Sequence, residues 1–230
     1  MVMRFTRQDH DRVAQAIAAA EGQTSGEIFC VVAQRVSSYR DVPLGWAAAC
    51  ALVLPLLLVP LGFDPAWIPG LADSWETAHM AAREVTIGKA LGAYAVLQAA
   101  LFLAVFMIVS IRPVRFALTP RPMRRARVRR AAMQQFLAHG LQFTDQRTGV
   151  LIFAALEDHR VEIVADKGIH DRVDREVWGD AVEAMTRQMK AGRPVEGFEA
   201  AVALCGQVLG REFPPRPAER NELADRLVVL

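Results

Sequence analysis

Two long stretches without a charged residue govern what this 230-residue chain can fold into. Val42–Phe63, VPLGWAAACALVLPLLLVPLGF, and Ala90–Ile111, ALGAYAVLQAALFLAVFMIVSI, are 22 residues each. About 20 consecutive apolar residues in a helix cross the hydrocarbon core of a bilayer. Lys89 and Arg112 bracket the second stretch, and Gln98 is its one strongly polar side chain. The first holds Pro55 and Pro60, which kink a membrane helix without forbidding it. Trp46 and Trp67 fall near its ends, where interfacial aromatics belong. The competing reading is a pair of buried core helices. Neither stretch reads as a signal peptide, because about 40 polar-rich residues precede the first and no small-residue cleavage site follows an N-terminal apolar core. The expectation is a retained transmembrane hairpin over residues 42–115, with a loop at 64–89.

Lysine and arginine bias near the spans sets orientation. The loop carries Arg83 and Lys89. After the second span come Arg112, Arg115, Arg121, Arg124, Arg125, Arg127, Arg129 and Arg130 with no acid among them, and Arg35 and Arg40 precede the first span. This predicts a membrane protein with two spans, both termini cytoplasmic and the loop outside. The eight arginines are expected to meet anionic lipid headgroups, each worth about 1 kcal/mol near the surface. Net charge is only +2, which argues against a nucleic-acid partner. In the loop, Asp73-Ser-Trp-Glu76 reads as a helix start, so the second helix is expected to begin before Ala90. Cys30, Cys50 and Cys205 form neither a disulfide framework nor a zinc pattern, and read as buried thiols.

The flanking segments carry a second pattern. Asp9–Ala20 reads as a helix with Val13, Ile17 and Ala20 on one face, and Glu27–Gln34, EIFCVVAQ, as a buried strand. Met123–Leu141 is a helix with Met133, Phe136 and Leu137 as its stripe. Val150–Leu156 and Arg160–Ala165, joined by Glu157-Asp-His159, read as a hairpin. Asp174–Ala191 and Pro194–Phe213 are two further helices, the first with Val177, Trp178, Ala181, Val182, Met185 and Met189 inward, the second with Phe198, Val202, Cys205 and Leu209. A lone apolar strand needs a sheet to join. The expected fold class is α/β, a three-layer-like sandwich with a mixed central sheet, formed by residues 1–41 plus 116–230 and interrupted by the transmembrane hairpin. The alternative is an N-terminal arm beside an independent C-terminal domain.

These residues carry a resemblance. Thr24-Ser-Gly-Glu-Ile-Phe-Cys-Val-Val32, Thr148-Gly-Val-Leu-Ile-Phe-Ala-Ala-Leu156, Arg160-Val-Glu-Ile-Val-Ala-Asp-Lys-Gly-Ile169 and Val177-Trp178 resemble successive parts of the TPM domain family. Gly192-Arg-Pro and Asn221-Glu-Leu-Ala-Asp-Arg-Leu resemble the ending of its bacterial membrane-bound branch. The resemblance implies an α/β sandwich with a mixed sheet. Of activity it implies alternatives: some members resemble acid phosphatases, some bind calcium, others act as accessory or assembly factors. The split layout departs from the commonest one, in which an exported domain precedes a single anchor.

There is no Walker loop, no G-x-S-x-G and no H-E-x-x-H. The five histidines are scattered. The candidate site is Asp166-Lys-Gly168 at the end of one strand, with Asp145 and Thr148-Gly149 opening the one before it. A hairpin puts both at one end of the sheet. Glu27, Asp145 and Asp166 are the candidate ligands for a divalent cation, calcium or magnesium, through oxygen. Asp166 as nucleophile or base, Lys167 as anion holder and His170 as general acid are the catalytic candidates. The plainer reading makes Asp-Lys-Gly a turn, Asp145 a loop acid and His170 a surface residue. Glu162 alternates outward in its strand and is expected to face solvent. Two functions stay open. One is an accessory factor that binds another membrane or peripheral protein at the cytoplasmic face. The other is a metal-dependent phosphoester hydrolase at the Asp166 cluster.

Overall fold

The computed structural model describes residues 4–58, 84–173, 175–216 and 221–230. Pro60, Trp67, the helix start expected at Asp73–Glu76 and most of the 64–89 loop lie outside them. In chain order the elements are α1 (Arg7–Glu21), β1 (Glu27–Ala33), α2 (Asp41–Leu58), α3 (Glu84–Ser110), α4 (Arg112–Leu118) and α5 (Arg121–Ala138). There follow β2 (Gly149–Ala155), β3 (Arg160–Ala165), α6 (Lys167–His170), α7 (Gly179–Lys190), α8 (Pro194–Glu212) and β4 (Leu227–Val229). The chain divides into two compact units, Met1–Ser37 with Arg121–Leu230, and Ser38–Pro120.

The first unit is an α/β fold around a mixed sheet of order β3-β2-β1-β4. β1 runs parallel to β2, with Glu27 opposite Gly149 and Ala33 opposite Ala155. β2 and β3 form the antiparallel hairpin, with Val150 opposite Ala165 and Ala155 opposite Arg160. β4 lies parallel to β1 on its other side, Cys30 opposite Leu227. Every residue of β1 and of β2 is buried. Covered parallel strands read as continuous apolar runs, which is how EIFCVVA and GVLIFAA look in sequence.

Strand alternation sorts the core into two faces. Ile28, Cys30, Val32, Val150, Ile152 and Ala154 join Val13, Ile17, Met185, Phe198, Val202 and Leu209, and so meet α1, α7 and α8. Phe29, Val31, Leu151 and Phe153 join Val128, Ala132 and Phe136 of α5 on the other face. Helix α1 is started by a capping box, in which Thr6 Oγ1 accepts from the Asp9 amide and the Asp9 carboxylate accepts from the Thr6 amide. Its buried residues are the expected Val13, Ile17 and Ala20.

Several elements differ from expectation. The buried stripe of α5 is Val128, Ala132 and Phe136, and Met133 and Leu137 are exposed. Arginines fill the first half of this helix, so its few apolar residues were weak guides to its inner face. The helix expected from Asp174 begins as a 3-10 turn, Arg175–Trp178, with Val177 exposed and Trp178 buried. Glu162 does not face open solvent: it lies on the α5 face, half-buried, 3.9 Å from Arg129. Cys30 and Cys205 are buried thiols as expected, whereas Cys50 is half-exposed, and all three are free. Strand β4, of three residues, carries no sequence pattern of its own.

In the second unit α2 packs along α3. Four of the buried residues of α2 recur every fourth position, Pro43, Ala47, Ala51 and Pro55, and Val42 is buried beside the first of them. Small side chains at that spacing let two helices approach closely. Its other sides are apolar and exposed, from 40% at Leu54 to 64% at Leu56. Val96, Leu103, Met107 and Ile108 of α3 are likewise exposed. Among the described residues no single helix is long and apolar enough to cross a membrane. Tyr94–Ser110 and Arg112–Leu118 reach that length and composition only as a pair bent by 98°.

Candidate functional site

The sheet brings the starts of β1 and β2 and the end of β3 to one edge. Glu27 donates its amide to Thr148 O at 3.2 Å, and Asp166 donates its amide to Gly149 O at 2.9 Å. The Thr24-Ser-Gly-Glu segment is held there by backbone stitching. The Thr24 hydroxyl donates to Phe213 O at 2.7 Å, and the Thr148 hydroxyl donates to Ser25 O at 3.1 Å. These bonds fasten the end of α8 and the start of β2 to the turn before β1.

The three carboxylates expected to share a cation are held in different ways. Glu27 accepts from the amides of Glu222 at 3.1 Å and Leu223 at 3.3 Å. Burial raises its pKa, these two amides offset part of that, and Glu222 and Asp225 add to it. Asp145 is exposed, and its amide donates to the Glu222 carboxylate at 3.0 Å. Asp166 is buried and caps α6: its Oδ1 accepts from the Lys167 amide at 2.6 Å. Its Oδ2 is buried with no partner among the described residues. One such oxygen is far from the six to eight that calcium takes. No group of three His, Cys, Asp or Glu side chains capable of holding a metal assembles among the described residues. The described residues do not fit a calcium or magnesium site.

The glycines of the two motifs have packing roles. A Cβ on Gly168 would lie 2.5 Å from Gln146 O and 2.7 Å from Arg147 O, and one on Gly149 would lie 2.7 Å from Leu141 O. Asp-Lys-Gly is therefore a cap and a close approach to the 144–147 turn. Lys167 and His170 are exposed and turn toward a different place, the outer edge of β3.

Among the described residues, two cavities lie beside the sheet. One, of about 460 Å³, is lined by Glu21, Thr24, Glu27, Arg216, Asn221 and Asp225 among others. Glu21, which drew no attention in the sequence, accepts from the Ile28 amide at 2.8 Å. Burial pushes its pKa up to about 9, and the nearby carboxylates of Glu27 and Asp225 push the same way against that hydrogen bond. The signal available was an acid in the last turn of a helix with no basic residue there, against the helix dipole. Glu27 ties residues 222–223 to the start of β1, Glu21 ties the end of α1 to the same strand, and Glu222 holds the Asp145 amide ahead of β2.

The second cavity, of about 550 Å³, runs along the edge of β3 between α5 and α7. Arg125, Arg129 and Met133 come from one side of α5, Trp178 and Val182 from the α7 side, and Arg160 and Lys167 stand at the two ends of the strand. Of the eight arginines expected at the membrane surface, Arg127 donates to Ser37 Oγ at 2.6 Å and Arg129 approaches Glu162, both inside this unit. Arg121, Arg125 and Arg130 are exposed. Arg112 and Arg115 belong to α4 of the other unit, as Arg124 belongs to α5.

Among curated proteins no sequence matches the chain. The NMR structure of the BA42 protein from the psychrophilic bacterium Bizionia argentinensis aligns with 100% of this chain and 99% of its own, at a TM-score of 0.57 and 19% identity, a likeness of fold. The TPM domain model matches residues 114–208, a span that holds α5, β2, β3, α6, α7 and most of α8.

Proposed function

We propose that this chain is a membrane-tethered accessory protein: the Ser38–Pro120 unit anchors it in the inner membrane of a bacterium, and the α/β unit binds another protein at the cytoplasmic face. The observation that carries the reading is the exposure of large apolar side chains on α2 and α3 away from their contact. A helix apolar on all sides belongs in a protein core or in lipid. Exposed leucines such as Leu52, Leu56, Leu57 and Leu103 are costly in water, at roughly 25 cal/mol per Å² of apolar surface. The arginine bias supports the orientation, and Arg112, Arg115, Arg121 and Arg130 are the residues proposed to meet anionic headgroups. The accessory role is supported by the way Glu27, Asp145 and Asp166 are spent on backbone amides or exposed apart, which leaves the hydrolase reading without a favouring observation.

Alkaline carbonate washing of membranes tests the anchor, and reporter fusions after Asp73 and after Leu230 test the orientation. The expected result is a protein retained in the washed pellet, with a reporter active only outside the cytoplasm working at Asp73 and silent after Leu230. Release by carbonate, or the reverse reporter pattern, refutes the reading. Co-purification from a detergent extract tests the binding role.

A further inference from the structure

We propose that the free edge of β3 takes an extended acidic peptide as an added strand. This rests on the protein-binding part of the reading above and names the surface and the chemistry of the partner.

In the order β3-β2-β1-β4, β3 has one neighbour among the described residues. The bond from the Asp166 amide to Gly149 O fixes the phase of the hairpin. Antiparallel pairs alternate between hydrogen-bonded and non-bonded. Arg160, Glu162 and Val164 therefore direct their backbone groups to β2, and Val161, Ile163 and Ala165 direct theirs outward. No hydrogen bond among the described residues reaches the outward amides and carbonyls of these three. Proteins ordinarily cover such an edge with a helix or a loop. Here the 550 Å³ cavity lies along it instead.

The walls of that cavity differ. Val161, Ile163 and Ala165 lie on the face packed by α7, beside Trp178 and Val182. Glu162 and Val164 lie on the α5 face, beside Arg125 and Arg129. A strand added to β3 presents alternate side chains to the two walls. Its apolar residues would meet the tryptophan side and its acidic residues the arginine side. Among the described residues Glu162 is the one acid lining the cavity, and Arg129 faces it. No carboxylate among the described residues pairs with Arg125, Arg160 or Lys167. The ladder of unused amides argues for a peptide over a lipid headgroup, which needs no such ladder. A second copy of this chain is disfavoured as the occupant, because two such edges would oppose cation to cation.

The test is fluorescence anisotropy with the full chain in non-ionic detergent. The probe is an eight-residue peptide alternating glutamate and valine. Controls are its lysine–valine counterpart and a version methylated on every backbone nitrogen, which keeps the charge and removes the donors. The expected result is binding of the acidic peptide alone, at least tenfold tighter than either control. Arg125→Glu and Lys167→Glu, both at exposed side chains, should each weaken it at least threefold and together tenfold, with melting unchanged. Equal binding of the methylated peptide, no binding of the acidic one, or full displacement by phosphatidylglycerol vesicles but not by neutral ones overturns the proposal. A partner that still co-purifies with the double variant would place protein binding elsewhere on the chain, and loss of the proposal would leave the carbonate result untouched.

Discussion

Replacing Glu21 by Gln should remove a pH dependence of stability that the fold builds in. Glu21 ends α1 half-buried, with its Oε1 2.8 Å from the Ile28 amide and the Glu27 and Asp225 carboxylates close by. Its pKa stands at about 9 in the folded chain against an ordinary value of 4.5. Between those values the folded chain holds a proton that the unfolded chain has lost. Stability from this group is therefore full below about pH 4.5 and declines as pH rises toward 9. From pH 5 to 8, three units at about 1.4 kcal/mol each give roughly 4 kcal/mol, and screening by solvent reduces this to about 2. Gln is neutral at every pH and keeps an acceptor for Ile28. Glu21→Gln should thus be close to wild type at pH 5 and about 2 kcal/mol more stable at pH 8, a rise in melting temperature of about 4–8 °C. Thermal melts of the full chain in non-ionic detergent at pH 5, 6.5 and 8 measure it. Glu27, also raised by burial, leaves a residual slope of the same sign in both proteins. If the variant's slope equals that of wild type, or if it is the less stable protein at pH 8, Glu21 is not held protonated.

Gly168→Ala should cost about 1–3 kcal/mol, because the Gln146 and Arg147 carbonyls it would strike are backbone, whereas Gly179→Ala, with nothing near its Cβ, should be neutral or better in the same melts. Phe198→Ala removes a fully buried ring between α7, α8 and the sheet and should cost about 3–5 kcal/mol by denaturant titration. Residues 121–230 expressed alone lack β1, the strand between β2 and β4, and should give no cooperative melt; a sharp melt would show that the first 37 residues are dispensable. Removing Leu227–Leu230 uncovers the β1 edge and should lower solubility, read by light scattering, without abolishing the helical signal in circular dichroism.

The elements legible in the sequence were those whose signal is local. The hairpin Val150–Ala165 announced itself by an apolar run, a short turn and an alternating run, and β3 has the expected limits. Helix α8 showed its Phe198, Val202, Cys205 and Leu209 stripe because apolar residues dominate it. In α5 charge hides the periodicity, since arginine stems cover apolar surface that the letters do not reveal. β4 has three residues, below any reliable pattern, and exists because β1 offers it an edge. At the candidate site the sequence placed Asp145, Thr148-Gly149 and Asp166 at one end of the sheet, with Glu27 as a candidate partner. It did not show that Glu27 is bound by residues almost 200 positions later, nor that Lys167 and His170 turn to another surface. Both facts come from the path of the chain and not from spacing.

The position of β1 in the middle of the sheet sets the order in which the molecule can be made. Its parallel partners follow about 120 and about 200 residues later, so neither pairing is local, and closing such long loops is what slows folding. At roughly 5–20 residues per second of synthesis, an apolar strand waits about 6–24 seconds for β2. Throughout that wait Ile28, Phe29, Val31 and Val32 have no sheet to enter, and the apolar helices α2 and α3 emerge in the interval. The sheet can be completed only after those helices have left the ribosome. A nascent chain that stalls before β2 would thus expose an unpaired β1 and invite proteolysis.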